Sequence, residues 1–450
     1  MSWPTTATDD ATGQLVLGGV GVNELAQQFG TPLYVFDEAT LRGRARMFAA
    51  TFRAAYPRSR VVFAGKANCS PTIINILCQE GLGLDVVSGG ELYAGLASGM
   101  PAAAMTFHGN NKDEIELREA VAAGVGLIAI DNEREIELLS RLVTDSGVVR
   151  SLIRLNPGVE PNTHDKLRTG ATDSKFGFPV DGGSAARAVE RVTQTPGLEL
   201  AGYHAHVGSQ IFDPRLVGQT LRHMLSFAAD MRSRFGVVPE VISPGGGFGV
   251  DDGASGNDVS IAGWASVAAE TLTRECERHR LPLPELVVEP GRSIVGPAGV
   301  ALYRIGGRKV IAGVRVYVAV DGGMSDNIRP ALYGARYTAR IANRAAGEAT
   351  ETVTIAGKYC ESGDVLITDL PLAQTEPGDL LAIPMAGAYC LAMASNYNMA
   401  ARPAAVMVSS GQARLFRRRE TYAEILTTEA RPGSAFEGRG ESSRQDGGLR

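Results

Sequence analysis

The sequence predicts a (β/α)8 barrel followed by a β-rich domain. Two observations carry this. From about residue 60 to 295, eight short apolar runs alternate with amphipathic segments. After residue 300 the helical patterns give way to apolar runs separated by glycine turns. The eight runs are VVFAG (61–65), LDVVS (84–88), MTFHG (105–109), GLIAID (126–131), SLIRLN (151–156), LAGYHAHVG (200–208), EVISPGG (240–246) and ELVVEPG (285–291). Such runs suit parallel strands buried on both faces. The segments between them read as helices. In NNKDEIELREAVAAG (110–124), Asn111 can cap the first turn with Glu114 three residues on. Ile115 and Val121 mark the apolar side, and Gly124 suits the C-terminal end. The alternative is a doubly wound open sheet, weakened because neither a dinucleotide glycine fingerprint nor a P-loop follows any run.

The later runs are RVYVAV (315–320), ETVTIAG (351–357), DVLITD (364–369), DLLAIPM (379–385) and AAVMVSS (404–410). They predict a barrel or sandwich, to which LYVFD (33–37) is expected to add a strand. The expected organisation is a flexible N-terminus over 1–20 and a segment packing on the β domain over 21–45. The barrel then spans 46–298, the β domain 299–428 and a disordered tail 429–450.

Composition narrows the function. The 450 residues are 44% hydrophobic and 21% charged, with a net charge of −5. That is an ordinary soluble composition, with no basic block to suggest nucleic acid or an anionic membrane as a partner. FRRRE (416–420) is short enough for a solvated strand end. No run is long enough to span a membrane, and the acidic start is unlike a signal peptide. Five cysteines, odd in number and without a CxxC pair, predict neither disulfides nor structural zinc, and a cytoplasmic location. Cys69, Cys78, Cys276 and Cys390 read as structural.

In a barrel the reactive side chains come from the C-terminal strand ends. Those ends hold Lys66, Asp85, Ser88, His108, Asn156, His204, His206, Gly245, Gly246, Gly247, Glu289 and Arg292, with His164 in a loop beyond. Lys66 is either a solvated strand end or a desolvated amine with a lowered pKa, able to form Schiff bases. The glycines of SPGGGFGV (243–250) let backbone N–H groups converge on a phosphate. His204 and His206 share a face, as two metal ligands or as a ring-stacking pair. Neither Asp213 nor Glu289 has the spacing of a third ligand, so no metal is expected. Glu289 either pairs locally with Arg292 or faces a cationic heteroaromatic nitrogen. A lysine, a flat histidine, a phosphate nest and a carboxylate are what a protein supplies to pyridoxal 5′-phosphate.

Longer motifs sharpen this. LDVVSGGEL, FHGNNK, DSKFGF, HVGSQIFD, PGGGFG, EPGRSIVGPAG, VDGGMSDNIRPALYGARY, CESGD and GAYCLAMASNYNM occur in this order. With them the chain, over roughly residues 20 to 425, resembles the alanine-racemase-type barrel class of pyridoxal phosphate enzymes. Within that class it most resembles the diaminopimelate decarboxylases. The resemblance implies conversion of meso-2,6-diaminopimelate to L-lysine and CO2. The alternative is a related decarboxylase acting on another basic or carrier-bound amino acid. It implies Lys66 on the cofactor aldehyde, His206 stacked on the ring, and Glu289 facing the ring nitrogen. Ser209, Gly245, Gly246 and Gly247 would hold the phosphate, with Gly291, Arg292 and Tyr389 also on the cofactor. Arg292, Arg329, Tyr333, Glu361 and Tyr389 match substrate-binding positions. Cys360, a proton donor, and Glu361 would come from the partner subunit of a head-to-tail homodimer. One departure is visible: the family usually reads Tyr-Ala-Val-Lys-Ala-Asn where this chain has Phe63, Ala64, Gly65, Lys66, Ala67 and Asn68. Gly65 is expected to loosen the strand end or admit different bulk.

Overall fold

The structure, a computed structural model, describes residues 3–143, 147–159, 174–251 and 259–429. His164 and the tail from residue 430 lie outside the described residues.

All eight apolar runs contain strands: Ser59–Ala64, Gly83–Val86, Met105–Phe107, Leu127–Ile130, Val149–Asn156, Leu198–His204, Val241–Ser243 and Glu285–Val288. They pair in parallel, each with the next. The last pairs with the first, Leu286 opposite Ser59, so the sheet closes and the open alternative is excluded. Alternation along the strands then sorts the side chains. Val62, Leu127, Ala129, Leu152, Ala201, Val241 and Val287 form a small cluster of their own inside the ring. Val61 and Phe63 belong instead to the large core shared with the helices.

The helix Glu114–Ala123 begins later than expected. Asp113, not Asn111, is its N-cap, in a reciprocal capping box with Glu116. The preceding residues are held elsewhere: Lys112 donates its backbone N–H to Glu135 and buries its ammonium against the same carboxylate at 2.8 Å. In this helix Leu117 and Ala120 face inward, and Ile115, expected on the apolar side, is 46% exposed. Gly124 ends it in the left-handed region, φ 73°, as expected.

In the second domain the expected runs hold the strands Arg315–Val320, Glu351–Ala356, Val365–Leu372, Leu380–Ile383 and Ala404–Ser409. The sequence reading missed Gly299–Ile311, a 13-residue strand, and marked only the end of Gln412–Arg417, at FRRRE. The long strand changes neighbours along its length. Its first half pairs with Leu33–Asp37 and Leu380–Ile383, its second with Arg315–Val320. The register shifts between Ile305 and Arg308, across Gly306-Gly307. Leu33–Asp37 lies between Gly299–Ile311, antiparallel, and Ala404–Ser409, parallel. The stretch expected to be flexible is structured from Thr8: Thr8–Asp9, Leu15–Leu17 and Val20–Gly21 form a three-stranded sheet. Leu15, Leu17 and Val20 are buried with Leu33, Val300 and Val406, apolar burial that outweighs the polar composition around it. No helix among the described residues is long and apolar enough to cross a membrane.

Candidate active site

A cavity of about 320 Å³ opens at the C-terminal ends of the barrel strands. Lys66, Asp85, His108, His204, His206, Ser209, Gly246, Gly247, Glu289, Gly291, Arg292 and Tyr389 all line it. Asn110, Arg154 and Phe176 line it too and were not singled out from the sequence. Arg154 was legible as a lone arginine inside the apolar run SLIRLN. It is buried, with its guanidinium 4.4 Å from the Phe176 ring and 3.5 Å from an Asp131 oxygen. Other strand-end residues have local duties. Ser88 caps the helix Gly89–Ala97, Asn156 accepts the Gly158 N–H, and the Gly245 N–H donates to Ser243 Oγ.

Of the two readings of Lys66, the side chain matches the solvated strand end and not the desolvated amine. The residue sits in a 3-10 turn, Gly65–Ala67, just past the strand, with an exposed side chain among buried neighbours. The turn itself is fixed, since Tyr389 donates its N–H to the Ala67 carbonyl at 2.8 Å. Gly65 does not open space either. A Cβ there would lie 2.7 Å from the Asp85 carbonyl oxygen, so the glycine lets two neighbouring strand ends approach closely. Gly65→Ala is therefore expected to destabilise the fold by about 1–3 kcal/mol, read as a lowered denaturation midpoint. A midpoint equal to wild type would mean the strands separate freely.

The glycine turn is required by its surroundings. Gly245 and Gly247 have φ of 78° and 92°, and a Cβ on Gly246 would stand 2.0 Å from the Glu289 carbonyl oxygen. The Gly246 N–H donates to His206 Nδ1 at 3.2 Å, which fixes the ring orientation. Enclosure, then the Lys66 ammonium, pushes the His206 pKa well below the usual imidazole value, so the ring stays neutral.

Glu289 is buried and does not pair with Arg292. Its carboxylate meets His204 Nε2 at 3.0 Å, accepts from Ser243 Oγ at 2.8 Å, and lies 3.4 Å from His108 Nε2. Burial alone would raise this carboxyl's pKa, but the two histidines hold it well below the ordinary value. Burial pulls His204 down to about 4. His108 stays above its ordinary value, because Asp85 and Glu289 outweigh the cost of burial. The histidine pair of HAHVG is thus split: His204 turns to Glu289 and His206 to the glycine turn. Among the described residues the one group with metal-ligand proximity is His108, His204 and Glu289, within 4.8 Å of one another, so the fold brings Glu289 beside a histidine although the spacing along the chain showed no such sign. His204 Nε2 bonds to Glu289, while His108 Nε2 has no hydrogen-bond partner among the described residues.

Arg292 is buried with Nε and Nη1 unpartnered, Nη2 3.4 Å from Ser209 Oγ, and its guanidinium 4.7 Å from the Tyr389 ring. Burial, then Arg329, lowers its pKa to about 10. No carboxylate among the described residues pairs with either arginine, which suits the pair to an anionic ligand. Arg329, Tyr333, Cys360 and Glu361 do not line the cavity. Arg329 and Tyr333 bound a five-residue helix, and Cys360 and Glu361 lie exposed on a loop.

Pyridoxal 5′-phosphate calls for an amine, a seat for its phosphate, a flat contact for its ring and an acid beside its nitrogen. Lys66, the turn that only glycine can make, the neutral His206 ring and the buried Glu289 carboxylate fit it on one cavity wall. The fold and the cavity together define a pyridoxal-dependent decarboxylase. Residues 42–296 match the family model described as pyridoxal-dependent decarboxylase, pyridoxal binding domain. The diaminopimelate decarboxylase of Synechocystis sp. is 45% identical over 439 residues, covering 95% of this chain and 93% of that protein. That of Bacillus subtilis is 45% identical over 422 residues, covering 94% and 96%. The crystal structure of diaminopimelate decarboxylase from M. jannaschii in complex with L-lysine aligns with a TM-score of 0.88 at 32% identity, over 96% of this chain and 99% of that one. The chain belongs to the diaminopimelate decarboxylase family.

Proposed function

We propose that this protein converts meso-2,6-diaminopimelate to L-lysine and CO2, the last step of lysine biosynthesis, as a cytoplasmic homodimer with no nucleic-acid or membrane partner. The observation that carries it is the convergence of Lys66, the glycine turn, Glu289 and the unpaired Arg292 on one cavity. Bound at Lys66, pyridoxal 5′-phosphate supplies an electron sink for the pair left on the carbon that loses CO2. The chain's own groups do the rest. Glu289, kept ionised by its histidines, holds a proton on the ring nitrogen. His206, its ring direction fixed by the Gly246 N–H, would offer the flat contact for the ring. Ser209 and the Gly247 N–H would receive the phosphate on the turn that Gly245 and Gly246 shape, since the N–H groups of those two are already given to Ser243 and His206, with Gly291 leaving room beside it. Arg292 would clamp a substrate carboxylate from the cavity lining, with Tyr389 beside it, while Arg329 and Tyr333 would reach the substrate from beyond that lining. Cys360 delivers the proton to the carbon and regains one from water; Glu361 reads the far ammonium.

Because Cys360 and Glu361 are exposed and away from their own chain's cavity, we place them in the partner's site. Mixing inactive Lys66→Ala with inactive Cys360→Ala subunits is then expected to restore activity. At equal ratios with free exchange, about a quarter of sites become intact by two-fold statistics. No recovery after verified exchange would place both residues in one chain's site.

The activity is tested by incubating purified protein and added cofactor with meso-diaminopimelate, ornithine or arginine, and reading products by mass spectrometry. Lysine from diaminopimelate alone supports the proposal. Product from another amino acid instead would transfer the reaction to that substrate.

A further inference from the structure

The last residue of GARY, Tyr337, and the second cysteine of the β domain, Cys390, have no part in the chemistry above, yet both are buried beside it. Arg329 donates from Nη1 to Tyr337 Oη, and its guanidinium also lies 5.4 Å from that ring. Tyr337 Oη is 3.5 Å from Cys390 Sγ, and Cys390 Sγ is 3.6 Å from the Ala388 carbonyl oxygen. A carbonyl can only accept, so the thiol proton goes to Ala388 and the sulfur is left to accept from the phenol. The guanidinium donates to the phenol, the phenol to the sulfur, and the thiol to the carbonyl. Each link uses one proton.

The chain ends on a segment that is itself anchored at the site. Asn68 Nδ2 donates to the Gly387 carbonyl, and Tyr389 donates its N–H to Ala67, one residue from Lys66. Tyr389, in the left-handed region at φ 60°, lays its ring against Arg292. Residues 387–390 therefore tie the lysine turn, Arg292 and Arg329 to one piece of backbone. We infer that Tyr337, anchored by Cys390, is a positioning residue for substrate: it fixes the direction of the Arg329 guanidinium relative to Arg292 and Lys66. This rests on the proposed decarboxylase reading and adds to it what orients the second arginine. An arginine held by a neutral phenol keeps its full charge for a carboxylate, whereas an acidic holder would compete for it.

The test is a double-mutant cycle on the cofactor-loaded enzyme, with Tyr337→Phe, Arg329→Lys and the pair. Tyr337→Phe keeps the ring and removes one hydrogen bond to a charged group. It is expected to raise KM for diaminopimelate about ten-fold, with kcat within about two-fold and the cofactor absorbance unchanged. In the Arg329→Lys background, which lacks the guanidinium fork, the same change is expected to move KM less than about two-fold. A merely structural role would give equal factors in both backgrounds, and that result, or an unchanged KM, overturns the inference. If Tyr337→Phe does not fold, Cys390→Ala is read in the same cycle, with a rise in KM of about three-fold expected. A wild type that makes no lysine overturns the substrate reading and this inference with it. A wild type that makes lysine beside an unaltered Tyr337→Phe overturns the inference alone.

Discussion

Lys66→Ala is expected to lower kcat by roughly a thousandfold or more and to abolish the visible absorbance of bound cofactor. The melting temperature should hardly move. The Lys66 side chain is exposed in the cavity, and the turn beneath it is held by the backbone bond from Tyr389 to Ala67. That separation makes the result readable, because lost activity cannot then be assigned to lost fold. Retained absorbance with lost turnover would move the attachment point elsewhere and leave Lys66 as a proton carrier.

Glu289→Gln is the second large effect. The amide keeps the size of the side chain and can still bond to Ser243 Oγ and a histidine, but it carries no charge. Without that charge the side chain between His204 and Ser243 no longer favours a protonated ring nitrogen, and kcat is expected to fall on the order of a hundred- to a thousandfold. Absorbance from the cofactor on Lys66 should survive, in contrast to Lys66→Ala, and KM should change little. A kcat near wild type would show that His204 and His108 can serve the nitrogen themselves, and would return Glu289 to a purely structural place.

Much of the molecule was legible because its signals are local. Eight buried strands write themselves as short apolar runs, and a barrel fixes where their ends must gather. Hence Lys66, His206 and Glu289 could be brought together before any coordinates. What was missed depends on distant partners. The strand Gly299–Ile311 begins at the expected boundary at 298/299, and its second half is exposed and broken by two glycines, so no single pattern runs through it. The cap of the helix Glu114–Ala123 moved because Lys112 is claimed by Glu135, on the next helix. Gly65 reads as missing bulk, whereas its meaning lies in the Asp85 carbonyl on the next strand. Arg154 hid inside a run classed as apolar. Cys360 and Glu361 lie at no barrel strand end, and only the family motif pointed to them.

The strand Leu33–Asp37 has a consequence for how the protein is made. It is flanked by Gly299–Ile311 and Ala404–Ser409, so both of its neighbours are translated long after it. At about 5–20 residues per second, the ribosome needs roughly 13–50 s to reach the first of them. During that interval the barrel can close around its own successive strands, while an apolar ribbon at its front has no sheet to join. Such an unpaired edge is where a nascent chain is open to holdase chaperones or to its neighbours on a polysome. Gly299–Ile311 and Ala404–Ser409 release Leu33–Asp37 from that exposure, so segments made far apart in time meet in a single sheet.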